Sequence, residues 1–324
     1  MTWPITYDDI LAARARIAAH LAPTPLRHYA ELDEAVGAGI RVLVKHENHL
    51  PTNAFKARNA LAFMTALDPA QRTRGVVAAT RGNHGAGLAW AGAQLGVPVV
   101  ICVPHGNNPE KNAAMRGLGA ELVEAGRDYD DAVEVARRLV LERGIVMAHS
   151  TNDRHVIAGA GTLGLELCEQ AAELDAIVVA VGGGSQAVGA MVAARTLRPH
   201  VHVFGVQAAG ASAIHDSWHA KRRLALDRAD TIADGLATRA TYDLTWDALC
   251  EGLADFVAVP DAAIAEAIRV LLRTTHNLAE GAGAAGLAGL VALRDRLAGK
   301  TVAIVLSGAN IDETTLRRVM NREL

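Results

Sequence analysis

The sequence predicts an α/β protein built on parallel sheets, and three features of the chain carry that expectation. Short β-rich runs alternate with longer Ala-rich amphipathic stretches along almost the whole length. The runs are apolar nearly throughout, as strands buried on both faces must be. Several of them pass directly into glycine or small polar residues and then into a helical stretch, the pattern of strand, loop and covering helix.

In chain order, Thr6 lies three residues ahead of Asp9 and predicts a capping box opening the first helix. Strands follow in RVLVK from Arg41, GVVAAT from Gly75 and PVVICVP from Pro98. Between the last two, ATRGNHG leads into a helix that begins near Asn83 and stops at Gly96-Val97-Pro98. AIVVAVGGG from Ala176, VHVFGV from Val201 and TVAIVLSG from Thr301 supply further strands. The loops ATRGNHG, AVGGGSQ and LSGAN all leave the carboxyl ends of strands, where open parallel sheets bind ligands. Three such loops far apart in sequence imply one site assembled between two layers or domains.

At roughly 150 residues per domain, 324 residues suggest two domains or one large α/β unit. A formal net charge of −3 leaves no single-sign field to recruit nucleic acid or an anionic membrane surface, so the expected partner is a small molecule. Cys102, Cys168 and Cys250 form an odd set without CxxC spacing, which suits reduced thiols and a cytoplasmic setting. MTWPITYDDI lacks a basic region followed by an apolar run, and no stretch reaches the roughly 18 apolar residues of a membrane span.

Two segments carry candidate chemistry. Gly182-Gly183-Gly184-Ser185-Gln186 follows a strand and opens a helix, so unhindered backbone amides converge where an anion is welcome. Gly182, Gly184 and Ala187 also meet a loose dinucleotide pattern, but the next strand ends in Gln207 rather than in the acidic residue that holds a ribose. A plain tight turn is the remaining reading of these letters. Among five lysines, Lys45, Lys111, Lys221 and Lys300 have the neighbours of solvated surface. Lys56 is set among Phe55, Leu61, Phe63 and Met64, an apolar context that lowers an amine pKa and favours the neutral nucleophile. Standing alone, it also reads as an ordinary helix lysine covering apolar surface.

PTNAFKAR resembles the lysine motif of the fold type II pyridoxal-phosphate enzymes, in the threonine/serine dehydratase and serine racemase branch. ATRGNHG, VGGGSQ and LSGAN match further motifs of that family in the same order, and the likeness runs from about Pro23 to Asp312. It implies a fold like the tryptophan synthase β subunit: two parallel-sheet, three-layer domains, the large one from 1–74 and 151–324, the small one from 75–150. It implies pyridoxal 5'-phosphate held between them, with Lys56 forming the internal imine and later moving the α-proton. Phe55 flanks that lysine. Asn83 would face the cofactor's phenolic oxygen, Gly182, Gly183, Gly184, Ser185 and Gln186 its phosphate, and Ser307 its pyridine nitrogen. Thr80, Arg81, Asn83 and His84 would meet the substrate carboxylate, although Thr80 and Asn83 alone read equally as helix caps. A homodimer is the family expectation.

The departures from the family narrow the chemistry. Serine racemase has a serine where Arg81 stands, and an always-protonated guanidinium is no base, so elimination is expected over racemisation. The carboxylates that hold a divalent cation in metal-binding members correspond to Gln207 and Ala213, so no divalent site is expected. His46 and His49 flank Glu47 without the spacing of a zinc helix and read as strand-end structure. Ala57-Arg58 follows the lysine, unlike the Asp-Arg of cysteine and threonine synthases. The chain ends soon after LSGANID, so isoleucine feedback through a regulatory domain is not expected. The expected reaction is loss of water and then ammonia from a β-hydroxy amino acid such as threonine or serine, giving a 2-oxo acid. Asn53 and Ala54, in place of the common Gly-Ser, leave phenylserine, hydroxyaspartate or a hydroxylated diaminobutyrate derivative as alternative substrates. A cofactor-binding homologue without turnover is the other alternative.

Overall fold

A computed structural model describes residues 3–324. Two sheets organise it. The larger has six strands in the order β1 (Leu26–His28), β2 (Arg41–His46), β10 (Thr301–Leu306), β7 (Ala176–Ala180), β8 (His202–Ala208) and β9 (Asp255–Val259), all parallel except for β1 against β2. The smaller has β5 (Glu121–Glu124), β4 (Val99–Val103), β3 (Val76–Ala79) and β6 (Val146–Met147), all parallel. Six of these strands lie on the apolar runs read from the sequence. The other four, β1, β5, β6 and β9, are the edges of the two sheets. An edge strand is short and partly exposed, so it lacks the continuous apolar signature of a central one.

Alternation of side chains splits the interior into three layers of contact. Val76 and Ala78 of β3 join Ile177 and Val179 of β7 in one core that runs from one sheet to the other. Val178 and Ile304 face the opposite side of the larger sheet, and Val77 the outer side of the smaller one. Helix ends are fixed by local chemistry: Thr6 and Asp68 form capping boxes, and Gly96 ends the helix Asn83–Leu95 in the left-handed region at φ 66°. Where the helices Arg154–Gln170 and Ser185–Leu197 cross, an added Cβ on Gly189 would stand 2.4 Å from the Cα of Gly161. Glycine on both sides lets the backbones touch, which sets the position of the second helix and of the glycine turn that opens it.

Beneath the lysine helix, Lys56–Ala66, lies a buried network of four charges. Arg58 donates to Glu47 at 2.7 and 2.9 Å and to Glu166 at 2.6 and 2.8 Å, and Lys45 donates to Glu166 at 2.5 Å and to the Thr24 carbonyl at 2.8 Å. Lys45 is wholly buried, contrary to the expectation of a solvated lysine: its strand lies centrally in the larger sheet and its ammonium reaches a carboxylate 121 residues away. Burial pushes the Glu166 carboxyl upward, but Arg58 and Lys45 outweigh it and hold the group below its ordinary range. His46 likewise proves structural: its ring bonds Tyr29 Oη at 2.9 Å and Asn48 Oδ1 at 3.2 Å.

Removing one member of such a network leaves its partners buried and uncompensated. Arg58→Met is expected to lower stability by about 3–5 kcal/mol, read from urea unfolding of native and variant protein. Since the folded Glu166 pKa is depressed, its contribution is complete above the ordinary value of 4.5 and is lost as pH falls through the lowered one. Acid titration of Glu166→Gln should therefore lose part of the native protein's low-pH dependence.

Candidate active site

The carboxyl-end loops of β3, β6, β7 and β10 converge around Lys56. The start of its helix is tied to β10: Phe55 N–H donates to the Ser307 carbonyl at 3.0 Å, Ala54 bridges Gly308, and Ala309 N–H donates to the Asn53 carbonyl at 2.9 Å. Asn53 takes a positive φ of 53°, a conformation that asparagine tolerates better than most residues. Lys56 Nζ donates to the Ser150 carbonyl at 3.1 Å and stands 5.0 Å from the centre of the Phe55 ring. Among the described residues no carboxylate pairs with it, and desolvation lowers the amine to about 8. Leu61 and Met64, expected as its surroundings, lie wholly buried farther along the same helix.

Gly182, Gly183 and Gly184 turn the chain from β7 into the helix Ser185–Leu197. Each is pressed by a neighbour: an added Cβ would meet the Gly235 carbonyl oxygen at 2.2 Å, Thr151 Oγ1 at 2.0 Å and Leu249 Cδ1 at 2.9 Å respectively. Gly184 also takes φ 96°. Ser185 is buried, and both polar atoms of the buried Gln186 amide have no hydrogen-bond partner among the described residues. A buried amide without partners is rare and marks a place where a bound group supplies them.

At the third loop, Gly82 precedes the helix Asn83–Leu95 without a side-chain cap. Thr80 Oγ1 accepts from Gly82 N–H at 3.4 Å, whereas Asn83 does not cap at all. Its Nδ2 donates to Glu280 Oε1 at 2.6 Å and its Oδ1 accepts from Asn310 Nδ2 at 2.7 Å, which bridges the loop to the β10 side. His84 is buried with Nε2 against the Ala148 carbonyl at 3.0 Å and Nδ1 unpartnered; burial and the nearby Lys56 charge push it down to about 3, so it is neutral. The Arg81 side chain is exposed at the tip. Ser307 is buried, its hydroxyl 3.2 Å from the Ala282 carbonyl. A cleft of about 410 Å³ opens beside this junction, lined in part by Asn53, Asn83, Lys111 and Asn310.

The structure thus gathers Phe55, Lys56, Thr80, Asn83, His84, Gly182 to Gln186 and Ser307 at one junction and leaves Arg81 on its rim. Sequence reasoning missed the fourth loop, His149 to Thr151, and the buried Glu280, whose carboxyl burial pushes upward against the pull of Lys111 and Asn83. No glycine marks the His149 loop, whereas Glu280 stands at the N-cap of the glycine-rich helix Gly281–Ala292, a start that the sequence does show but that gives no sign of Asn83 as its partner. Gln207, expected to replace a metal ligand, has its Oε1 engaged by the amides of Ile214 and His215 at 3.1 and 2.9 Å. Among the described residues, no group of three or more His, Cys, Asp or Glu side chains is placed to hold a metal ion, and no helix is long and apolar enough to cross a membrane.

Comparison with known proteins decides the family, because the description "Pyridoxal-phosphate dependent enzyme" matches residues 17–308. The chain belongs to that family. It is 38% identical over 320 residues to an L-threonine ammonia-lyase of Thermotoga maritima, covering 99% of this chain and 79% of the relative. It is 32% identical to an L-threo-3-hydroxyaspartate ammonia-lyase of Saccharomyces cerevisiae, covering 95% and 94%. The solved structure of maize serine racemase superposes with a TM-score of 0.93 at 31% identity, covering 99% and 98%. The fold is that of the fold type II enzymes, and the cofactor of the family is pyridoxal 5'-phosphate. The site fits it: a free amine, a crowded triple-glycine turn and the unpartnered Gln186 amide stand on neighbouring loops.

In cofactor-free protein, acylation of Lys56 by an amine reagent should rise through a pH of about 8 rather than near 10.5, read by peptide mass spectrometry across a pH series. A profile that rises only near the ordinary value would remove the desolvated niche. Gly183→Ala must push aside Thr151, and we expect it to weaken cofactor retention at least tenfold, measured by equilibrium dialysis.

Proposed function

We propose that this chain is a pyridoxal-phosphate-dependent ammonia-lyase that removes water and then ammonia from a β-hydroxy amino acid, threonine and serine first, releasing a 2-oxo acid. The observation that carries the reading is the amine of Lys56, desolvated, lowered to about 8 and held by the Ser150 carbonyl at 3.1 Å. The bound cofactor supplies an electron sink for the pair left when the α-proton departs. The chain supplies the rest. Lys56 Nζ holds the cofactor's reactive end and moves the α-proton, and an amine that is half neutral near pH 8 is suited to both tasks. Backbone amides of Gly182 to Gln186 hold the phosphate at a helix start.

Ser307 gives the pyridine nitrogen a neutral hydroxyl, which does not force it to stay protonated, and Asn83 turns an amide hydrogen toward the phenolic oxygen. Thr80, Asn83 and the backbone at His84 bind the substrate carboxylate, with Arg81 adding positive charge at the mouth. His84, pushed down to about 3, is too weak a base to take the proton and the guanidinium of Arg81 is none, which favours elimination over racemisation. The segment 75–150 acts as the substrate-closing domain, a division supported by its holding all four strands of the smaller sheet; the bonds of Asn83 to Glu280 and of Asn310 to Asn83, with the ion pairs Lys111–Asp234 and Asp130–Arg239, dock it on the rest of the chain. We place the enzyme in the cytoplasm as a homodimer serving amino-acid catabolism. Three reduced thiols and the family resemblance support that setting.

A second reading takes hydroxyaspartate as the substrate, favoured by the yeast relative that matches nearly end to end. A screen of threonine, serine, 3-hydroxyaspartate, phenylserine and hydroxylated diaminobutyrate derivatives, followed by ammonia and 2-oxo acid release, decides between them. Lys56→Ala is expected to lose at least 10³-fold in rate on whichever substrate turns over. Cofactor-loaded native protein that releases nothing from any of them would overturn the reading.

A further inference from the structure

His149 follows Ala148, just beyond β6, and precedes the residue whose carbonyl holds Lys56 Nζ. Two residues later Thr151 presses on Gly183, so this loop is wedged between the lysine and the glycine turn. The imidazole is held in one tautomer. Its Nδ1 accepts from the backbone N–H groups of Thr151 and Asn152 at 2.9 and 2.8 Å, which leaves the proton of the neutral ring on Nε2. Burial and the Lys56 charge both disfavour a second proton, so the ring stays neutral. Tyr242 meets it edge-on, with ring centres 5.8 Å apart and planes at 81°, and fixes its tilt. Among the described residues, Nε2 has no hydrogen-bond partner.

We propose that the Nε2–H of His149 binds the β-oxygen of the substrate, orienting the hydroxyl that leaves as water. The inference rests on the function proposed above and adds to it the residue that recognises an oxygen leaving group. The C–O bond breaks as the electron pair of the departing α-proton forms the new carbon–carbon double bond, and the proton that Lys56 has taken from the α-carbon completes the water; the ring transfers none, but as a fixed donor it holds the C–O bond in line for departure and stabilises the oxygen as charge develops on it. The same donor selects substrates with an oxygen on the β-carbon over those with carbon or hydrogen there.

Two isosteric replacements separate this role from a structural one. In His149→Asn the amide oxygen takes the place of Nδ1 and keeps the loop's two hydrogen bonds, but the Nε2–H donor is gone. In His149→Gln the amide N–H takes the place of Nε2–H, while the loop acceptor is lost. Both are measured as holoenzymes whose cofactor absorption band matches that of native protein, on the preferred hydroxy amino acid and on β-chloroalanine, whose chloride departs without a hydrogen-bond donor. The proposal expects His149→Asn to lose roughly 10- to 100-fold in kcat on the hydroxy substrate and no more than about threefold on β-chloroalanine, with His149→Gln retaining more of the hydroxy activity than His149→Asn. Equal losses on both substrates, or a His149→Asn enzyme as fast as native on the hydroxy substrate, would overturn it. Native protein that eliminates from neither substrate would instead overturn the lyase reading, and this inference with it.

Discussion

The ionic cluster of Lys45, Glu47, Arg58 and Glu166 is the constraint on which the site's geometry rests. Two cations and two anions sit out of water, and each carboxylate is matched by at least two donors from the cations. A buried charge pair gains little net stability over apolar packing, but it is intolerant of displacement, because any shift strands a charge in a low dielectric. Three of its members stand close to Lys56 in the chain: Lys45 is the next-to-last residue of β2, Glu47 begins the turn after it, and Arg58 lies two residues beyond Lys56. The fourth, Glu166, belongs to the helix that packs on both the lysine helix and the helix of the glycine turn. The cluster therefore fixes the amine and the turn relative to each other.

Above that base, the site is made by strand ends. Parallel strands send their carboxyl-terminal loops to the same edge, so β3, β6, β7 and β10 deliver four loops to one place although they are spread over more than 200 residues of sequence. The loops are then stitched together by few but specific bonds. Phe55 N–H to the Ser307 carbonyl joins the lysine to β10, Asn83 joins the β3 loop to Glu280 and Asn310, and the Ser150 carbonyl joins the β6 loop to the lysine itself. Leaving Lys56 without a carboxylate partner is the counterpart of this arrangement. Glu47 and Glu166 are held by Arg58, and among the described residues no carboxylate pairs with Lys56, so the amine is desolvated rather than neutralised.

Much of this was legible in the chain. The central strands announce themselves because both of their faces are buried and every residue must be apolar. The lysine, the triple glycine and ATRGNHG are legible because each is local chemistry on adjacent residues. The edge strands were not, since a strand with one open side needs no continuous apolar run. Lys45 was misread for a related reason: nothing beside it in sequence reveals a carboxylate 121 positions away. His149 escaped notice on the same ground, and Glu280, although it lies in a stretch that resembles the family and opens a glycine-rich helix, shows no role until the fold brings Asn83 to it.

By itself, then, the sequence determined the α/β class, the central strands and the family, and it singled out the lysine proposed as the reactive amine, because these depend on periodicity and on contiguous motifs. Tertiary structure alone decided which loops meet, which charges cancel beneath the lysine, and which donors are left free to face a substrate. Those outcomes are set by contacts between residues far apart in the chain, and pairing across such distances is a property of the folded backbone rather than of any segment of it.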